Sequence, residues 1–332
     1  SGFDLSGVDI ITAGTLYNNI SFFIQPFIGN SSSEISQGWA RFDNLLHSPW
    51  LNVKVGKFEL DEPISQERIL TLSNTGGLYY NYFFTPPGDN NFFQGIGFTQ
   101  LGAELLGHSA NDNMRYSLAV VSDSNGTTGL PSNQAYDFYG NFNRSFETPW
   151  FGRQQVGVYG LIGESPTFFQ TNNGSPIPGT GTGNRSFYRA GAYGHWFVDK
   201  FDFFTFYMHG SDNVYLGNSV PSNQPFRLPI GAAGPTWNGG FVEAHYNPTP
   251  RWIVTGRYEL VRMSREANPG IRSNAGNLDT WTLGYRWYPI MSPRAGLAWT
   301  QEYSRILNAG TAPLSGKDDA HDSFLMGFDF DF

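Results

Sequence analysis

Six histidines are the first residues in the chain that could carry chemistry: His47, His108, His195, His209, His245 and His321. None has a second ligand at helical spacing, so the sequence offers no metal-binding pair. His108 and Ser109 are the one adjacent His/Ser pair. Neighbours in a strand point to opposite faces, so the imidazole cannot reach the hydroxyl as a general base. The sequence therefore predicts no catalytic residue and no enzyme. Lys317–Asp322 gathers three Asp and a His, a composition that suits a hard cation. It lacks the spacing of a calcium loop and reads as a solvated acidic loop. The Gly-rich run from Asn172 to Asn184 has no GK[ST] sequence and opens no helix, so it reads as a loop rather than a phosphate cradle.

The remaining candidates are charges placed at two-residue steps. Arg41, Asp43, Lys54, Glu104, Arg115, Arg189, Glu243, Arg257, Glu259 and Arg286 each alternate with apolar neighbours. So do His108, His195 and His245. A period of two puts alternate residues on opposite faces of a sheet. One face would be apolar and the other would carry these charges as the lining of an enclosed space.

The strands that must position them are legible in several places. Trp281, Leu283, Tyr285 and Trp287 alternate with Thr280, Thr282, Gly284 and Arg286. Trp252, Val254, Tyr258 and Leu260 do so with Thr255, Arg257 and Glu259, and Val242, Ala244 and Tyr246 with Glu243 and His245. Similar runs lie around 51–55, 114–120 and 155–162. Phe201–Tyr207 is apolar on both parities and leaves its register open. Short connections at Gly14–Asn18, His47–Pro49, Ala110–Asn113, Thr148–Gly152, Asp199–Lys200, Asn247–Pro250 and Pro289–Pro293 alternate with longer polar ones. The long ones are Asn30–Ser33, Leu60–Gly97, Ser124–Gln134, Pro166–Arg185, Asp212–Thr236, Arg265–Leu278 and Asn308–Asp322. Trp50, Trp150, Trp196, Trp252, Trp287 and Tyr288 sit at strand ends, where interfacial aromatic girdles belong.

Composition agrees. Charged residues are 14% and aromatics 17% of the 332 residues, with 40 Gly, a net charge of −8 and a mean hydropathy of −0.34. No apolar run approaches the ~18 residues of a membrane helix. A membrane-spanning reading therefore requires a closed antiparallel β-barrel, since open edges in hydrocarbon leave polar backbone unpaired. The expected fold is all-β: one barrel domain over 1–332, in the bacterial outer membrane, with short periplasmic turns and long extracellular loops. About fifteen strands can be counted. Single-chain bacterial barrels have an even number, which predicts one more strand upstream and about sixteen in all, the alternative being a hairpin miscounted among the long loops.

The loop of residues 60–97 is long for a connection inside one domain; it is expected either to fold inward and narrow the lumen or to cover the barrel on its extracellular side. Its stretch Ile64–Leu72 could form one or two helical turns. Absence of Cys excludes disulfides, thiolate metal sites and covalent haem attachment within these residues. The acidic balance argues against nucleic acid as a partner. The expected partners are membrane lipid and the barrel assembly machinery. For the latter, Phe324, Met326, Phe328, Phe330 and Phe332 form the assembly signal, ending on a terminal Phe.

Two family resemblances follow from longer runs. GTLYNNISFFIQP, ARFDNLLHSPWLNVKVGKFEL, GFTQLGAELLGH and MRYSLAVVSDSNG, in order over residues 14–126, resemble phosphate-selective porins of the O/P type. That implies a solute channel. The alternating charges depart from a lysine-rich anion ladder, because Glu302, Asp329 and Asp331 join the acids named above. FDLSGVDIITAGTLYNNISFF, SNAGNLDTWTLGYRWYPIMSPRAGLAWTQEYS and SFLMGFDFDF resemble the barrel part of fused outer-membrane cytochrome c–porins. This second resemblance implies a barrel of about sixteen strands behind a CxxCH haem segment, passing electrons from donors such as ferrous iron. Haem c would then be carried by an upstream or partner segment, or a periplasmic cytochrome would dock. The two expectations are a channel for small solutes or ions and, as the alternative, the sheath of an electron conduit.

Overall fold

The computed structural model describes residues 7–29, 33–61, 99–122, 136–166, 184–211, 233–234, 236–268, 270–274, 277–292, 295–309 and 319–331. Strand follows strand: β1 (Gly7–Asp9), β2 (Thr12–Tyr17), β3 (Ile20–Gly29), β4 (Ser33–Phe42) and β5 (Asn52–Phe58). Next come β6 (Gln100–His108), β7 (Met114–Ser122), β8 (Tyr136–Thr148), β9 (Gly152–Pro166) and β10 (Asn184–Val198). The remainder are β11 (Phe201–Ser211), β12 (Thr236–Thr249), β13 (Trp252–Asn268), β14 (Ile271–Asn274), β15 (Asn277–Met291), β16 (Gly296–Ala309) and β17 (Asp319–Asp331). The only helical turn among the described residues is Leu45–His47, between β4 and β5.

All strands belong to one antiparallel sheet. β1 and β2 lie along the same partner, β3, and form one interrupted strand. β14 and β15 both pair with β13 and form another. Among the described residues the seventeen segments therefore make fifteen strands, as the alternation predicts. Each strand is hydrogen-bonded to its neighbours in chain order from β3 to β17. Among the described residues no ladder register joins β17 to β1 or β2, so the expected ring is not closed by them.

The two faces of this sheet differ in kind. In β8, Phe138 and Phe142 are exposed while Asp137, Tyr139, Asn141, Asn143 and Ser145 are buried. Leu118 and Val120 of β7, Val158 and Ile162 of β9, Val242 of β12 and Leu283 of β15 continue the exposed apolar face. Their alternating neighbours Ser117, Tyr159, Leu161, Glu243 and Thr282 are buried on the inner one. An apolar face of this extent is an aggregation hazard in water. Against acyl chains it is the solvated side, and the polar face turns inward.

Phe201–Tyr207 takes a definite register. Phe201, Phe203, Thr205 and Tyr207 share the outer face, while Asp202, Phe204, Phe206 and Met208 share the inner one with His195 and Glu243. Aromatics gather at the short-turn end: Trp252 stacks on Trp287 at 5.7 Å and Trp50 on Tyr116 at 6.1 Å, while Trp150 is 86% exposed. One inner-face glycine is required by packing. A Cβ on Gly191 would lie 2.0 Å from the Tyr207 carbonyl oxygen and 2.5 Å from the Tyr159 hydroxyl. Tyr159 crosses that gap to donate to the same carbonyl at 3.3 Å.

Two expected loops are corrected. Arg265–Leu278 is mostly strand: β13 runs on to Asn268 and turns back through β14. The extension is held because Glu266 accepts the Ala233 and Gly270 amides, and Arg272 donates to the Thr236 and Ser264 hydroxyls. The sharp reversal uses Gly270 at φ +76°. Likewise Asp319–Asp322 opens β17 instead of ending a loop. Tyr303 donates to the Asp322 carboxylate at 2.7 Å, which fixes this part of the acidic segment.

The lipid-facing assignment gives a stability prediction. Val158→Arg, on the outer face midway along β9, should lower folding stability by about 2–4 kcal/mol in lipid vesicles. Val158→Leu should be close to neutral. Denaturant titration of both variants checks this, and an unchanged midpoint for the arginine variant would place Val158 away from lipid.

Candidate functional site

The inner wall carries three connected groups. The first begins where β5 ends. Lys54 and Glu104 are directly opposite each other on β5 and β6 and form an ion pair. Their side chains are 12% and 0% exposed. Ser117 of β7 donates to Glu104 Oε1 at 2.6 Å, and the Asp61 amide donates to the same oxygen at 3.1 Å. The Asp61 carbonyl accepts from Tyr139 Oη at 2.9 Å and Asn141 Nδ2 at 2.7 Å. Asn141 in turn accepts from Tyr193 of β10 at 3.0 Å. Lys54 Nζ donates to the Glu59 carbonyl at 3.2 Å, and Leu60 is buried.

The start of the long connection is thus bound inward across β5–β10 by its backbone. Burial pushes the Asp61 carboxyl up to about 6, with the nearby Glu104 charge adding to the shift and Lys54 opposing it. Of the loop of residues 60–97 only Leu60 and Asp61 are described, and both lie against the inner wall. Residues 62–98, including Ile64–Leu72, lie outside the described residues.

The second group spans β10–β13 toward the short-turn end. His245 lies between two carboxylates, with Nδ1 2.7 Å from Asp202 and Nε2 2.6 Å from Glu243. Arg257 Nε donates to the other Glu243 oxygen at 2.6 Å. His195 stands 3.7 Å from Asp202. Thr282 and Ser304 continue the row occupied by Glu243 and Arg257. A chain of alternating acid and base therefore crosses four strands, each charge opposed locally.

The third group is aromatic. Tyr159 stacks on Phe206 at 5.4 Å and Phe206 on Phe241 at 5.2 Å, while Tyr193 stacks on Phe204 at 6.2 Å. Arg257 lies 5.9 Å over the Phe241 ring. Arg189 is fully buried and 4.9 Å over Phe187. Most side chains of this part of the inner wall are buried, while His195 and Asp202 stay partly exposed.

The ten charges expected on the inner face lie as follows. Lys54, Glu104, Arg189, Glu243, Arg257 and Glu259 are on the inner face, each buried or nearly so. Arg41 pairs with Asp43 at 2.7 Å near the β4–β5 turn, both partly exposed. Arg115 has inner parity but folds back at the short-turn end onto Asp112, holding that carboxyl below the usual range. Arg286 lies 5.3 Å from the Tyr288 ring. Among the assembly-signal residues, Phe324, Met326 and Phe328 are exposed on the outer face, and Phe330 stands opposite Leu297 on β16. Phe332 lies outside the described residues.

Sequence reasoning did not single out Tyr139, Asn141 or Asp202, and met Asp61 only as one of the charges Glu59, Asp61, Glu62, Glu67 and Arg68 at the start of the long loop. β8 alternates cleanly enough to have yielded Tyr139 and Asn141. Asp61 could not be found that way, because its role is set by its backbone. No group of His, Asp and Glu among the described residues is arranged to hold a metal ion.

No family model matches the sequence, and a comparison with curated proteins finds no match. Solved structures do resemble the fold. The chain is similar to OmpF of Salmonella typhi, solved with daunomycin, with TM-score 0.56 and 10% identity over 96% of this chain and 88% of that one. It is similar to the outer-membrane protein OmpT of Vibrio cholerae, with TM-score 0.54 and 10% identity over 97% and 87%. It is also similar to the anion-selective porin of Comamonas acidovorans, with TM-score 0.53 and 12% identity over 96% and 86%. At these identities the likeness is one of fold: the outer-membrane porin barrel.

Two predictions follow from the first group. Glu104→Ala leaves the Lys54 ammonium without its buried counter-charge. It should cost about 3–5 kcal/mol in denaturant unfolding, and Lys54→Met in the same chain should recover part of the loss. A Glu104→Ala protein as stable as the parent would dissolve the proposed anchor. Asp61 gives a pH dependence. Its folded pKa lies above the unfolded value of 3.8, so the docked state binds the extra proton. Docking is favoured at low pH and weakens as pH rises from about 3.8 to about 6. Amide protection at Leu60 and Asp61 should fall over that window, and Asp61→Asn should flatten the curve.

Proposed function

We propose that the protein is a bacterial outer-membrane channel of the porin type, passing small solutes or ions with weak charge selectivity, and that it performs no catalysis. The observation that carries this is the two-faced sheet: exposed apolar side chains outside, interleaved acids and bases inside. The ten charges assigned to the lumen would act as its wall. Lys54, Glu104, Glu243 and Arg257 neutralise one another there, so a passing ion meets local fields of both signs rather than a single-sign funnel.

Because the inner face of β6–β13 is packed, the passage is narrow. Its accessible charges are those left partly exposed, Arg41, Asp43 and His195. The inward-bound Glu59–Asp61 segment narrows the bore further. The acyl-chain layer and the assembly machinery are the partners this reading needs. The anion selectivity in the name of the Comamonas acidovorans protein does not carry over readily, since the inner charges here are mixed. A haem-bearing electron conduit is supported by no observation among the described residues.

Planar-bilayer recording of the purified protein tests the proposal. Steady ohmic steps are expected, and in a salt gradient the reversal potential should lie near zero. Silence at all potentials, with the protein folded, would rule the channel out. A reversal potential at the ideal value for one ion would refute weak selectivity.

A further inference from the structure

The outer face is apolar along its middle, yet toward the long-loop ends of β10–β17 it carries linked polar side chains. His209 of β11, Asn238 of β12 and Arg262 of β13 stand opposite one another there. His209 Nδ1 lies 2.8 Å from Asn238 Oδ1, and its Nε2 lies 2.9 Å from the Tyr188 hydroxyl of β10. Arg262 donates to Asp279 of β15 at 2.7 Å. Arg305 of β16 stands between Trp281 and Asp322 in the ladder. It lies 3.9 Å from the Asp322 carboxylate, which also accepts from Tyr303. Arg262 and Arg305 keep the parity of Leu260 and Leu283, so both side chains belong to the lipid-facing surface.

Their level in the membrane follows from the strands. Arg262 is ten residues beyond Trp252, where β13 leaves its short turn. Ten residues rising ~3.3 Å each, in a strand tilted 35–45°, climb about 25 Å, the full height of the apolar band. At that border a lipid-facing arginine costs roughly 0–1 kcal/mol, against about 2–4 at the midplane. The level permits charge without requiring it. At the same ten residues from their short turn, β8 and β9 present Phe138 and Ile162, 55% and 57% exposed. The polar sector is therefore a local feature, placed where acyl chains give way to headgroups.

Its chemistry selects the headgroup. Arg262 and Arg305 are each 42% exposed in spite of their acid partners, and guanidinium groups bind phosphate through paired N–H donors. Asp279 and Asp322 supply acceptors suited to hydroxyl groups. Aromatic rings stand among them: the Tyr258 hydroxyl is 3.5 Å from Asp279, and Trp281 meets Tyr303 edge-on at 5.3 Å. On the midplane side, Leu283 offers exposed apolar surface to acyl chains. Phosphate, hydroxyls and acyl chains joined in one molecule make a phosphorylated glycolipid. We infer that the outer face of β13–β17 at this level is a binding site for a phosphorylated glycolipid of the extracellular leaflet, its phosphate held by Arg262 and Arg305. The inference rests on the outer-membrane placement and not on what the lumen passes.

Native mass spectrometry of the folded, delipidated protein, titrated with the bisphosphorylated glycolipid lipid A, tests it. Lipid A should be retained by the parent protein. Its dephosphorylated form, and phosphatidylglycerol, should be held at least about tenfold more weakly. Arg262→Gln combined with Arg305→Gln should weaken lipid A by a similar factor, while Arg153→Gln near the short-turn end should leave it unchanged. Equal retention of the dephosphorylated glycolipid by the parent overturns the phosphate contact without recourse to any variant. Equal retention of phosphatidylglycerol overturns the choice of a sugar headgroup. A double variant that folds and holds lipid A as the parent does overturns the location. A parent protein that is silent in planar bilayers yet retains lipid A in this pattern would support the site while refuting the channel.

Discussion

The constraint on which everything else rests is that the peptide backbone cannot leave its hydrogen bonds unmade in hydrocarbon. With no helix among the described residues long and apolar enough to cross a membrane, sheet pairing is the remaining way to meet it. Pairing fixes the two-residue period, and the period separates the faces. The lipid outside then demands Leu118, Val158 and Leu283 where water would demand charge. The polar residues displaced from that surface have to accumulate on the inner one. Their concentration there is therefore a consequence of burial logic before it is an adaptation to any solute.

That logic explains which features the sequence reveals. Period two is written residue by residue, so the assignment of Glu243, Arg257 and Thr282 to one face needs no tertiary information. Phe201–Tyr207 resists the same treatment because aromatics occupy both parities. There Phe204 and Phe206 face inward to stack against Tyr193, Tyr159 and Phe241, and only the neighbouring strands reveal the choice. The Arg265–Leu278 segment misleads for another reason. Its polarity suits a loop, yet Glu266 and Arg272 bind the returning backbone and continue the strand beyond its apolar part. Asp61 is invisible to pattern altogether, since its amide and carbonyl attach it and any residue supplies those groups.

The inner wall raises a question of balance. A buried charge is expensive unless a partner and hydrogen bonds accompany it. Glu104 has both, in Lys54 and the donors Ser117 and Asp61; Glu243 has both, in Arg257 and His245. These groups link strands that are far apart in the sequence: Asp61 reaches β6 and β8, and His245 joins β11 to β12. They tie the packed half of the wall together from within, where lipid cannot supply any comparable interaction. Neutralising each charge locally also removes the large single-sign field that strong ion selection would require.

Packing and solvent contact are thus divided between two parts of one surface. Between β6 and β13 the inner side chains interlock, and substitution there disturbs a dense network with little solvent to absorb the change. Near the β4–β5 turn the inner charges Arg41 and Asp43 keep contact with water, and a pair of that kind contributes little to stability. Changes at Arg41 and Asp43 would therefore act on the proposed passage without loosening the barrel, whereas changes at Glu104 or Glu243 would alter the barrel first. The same alternation that makes the wall soluble in lipid leaves its tuning to the few inner positions that the packing does not need.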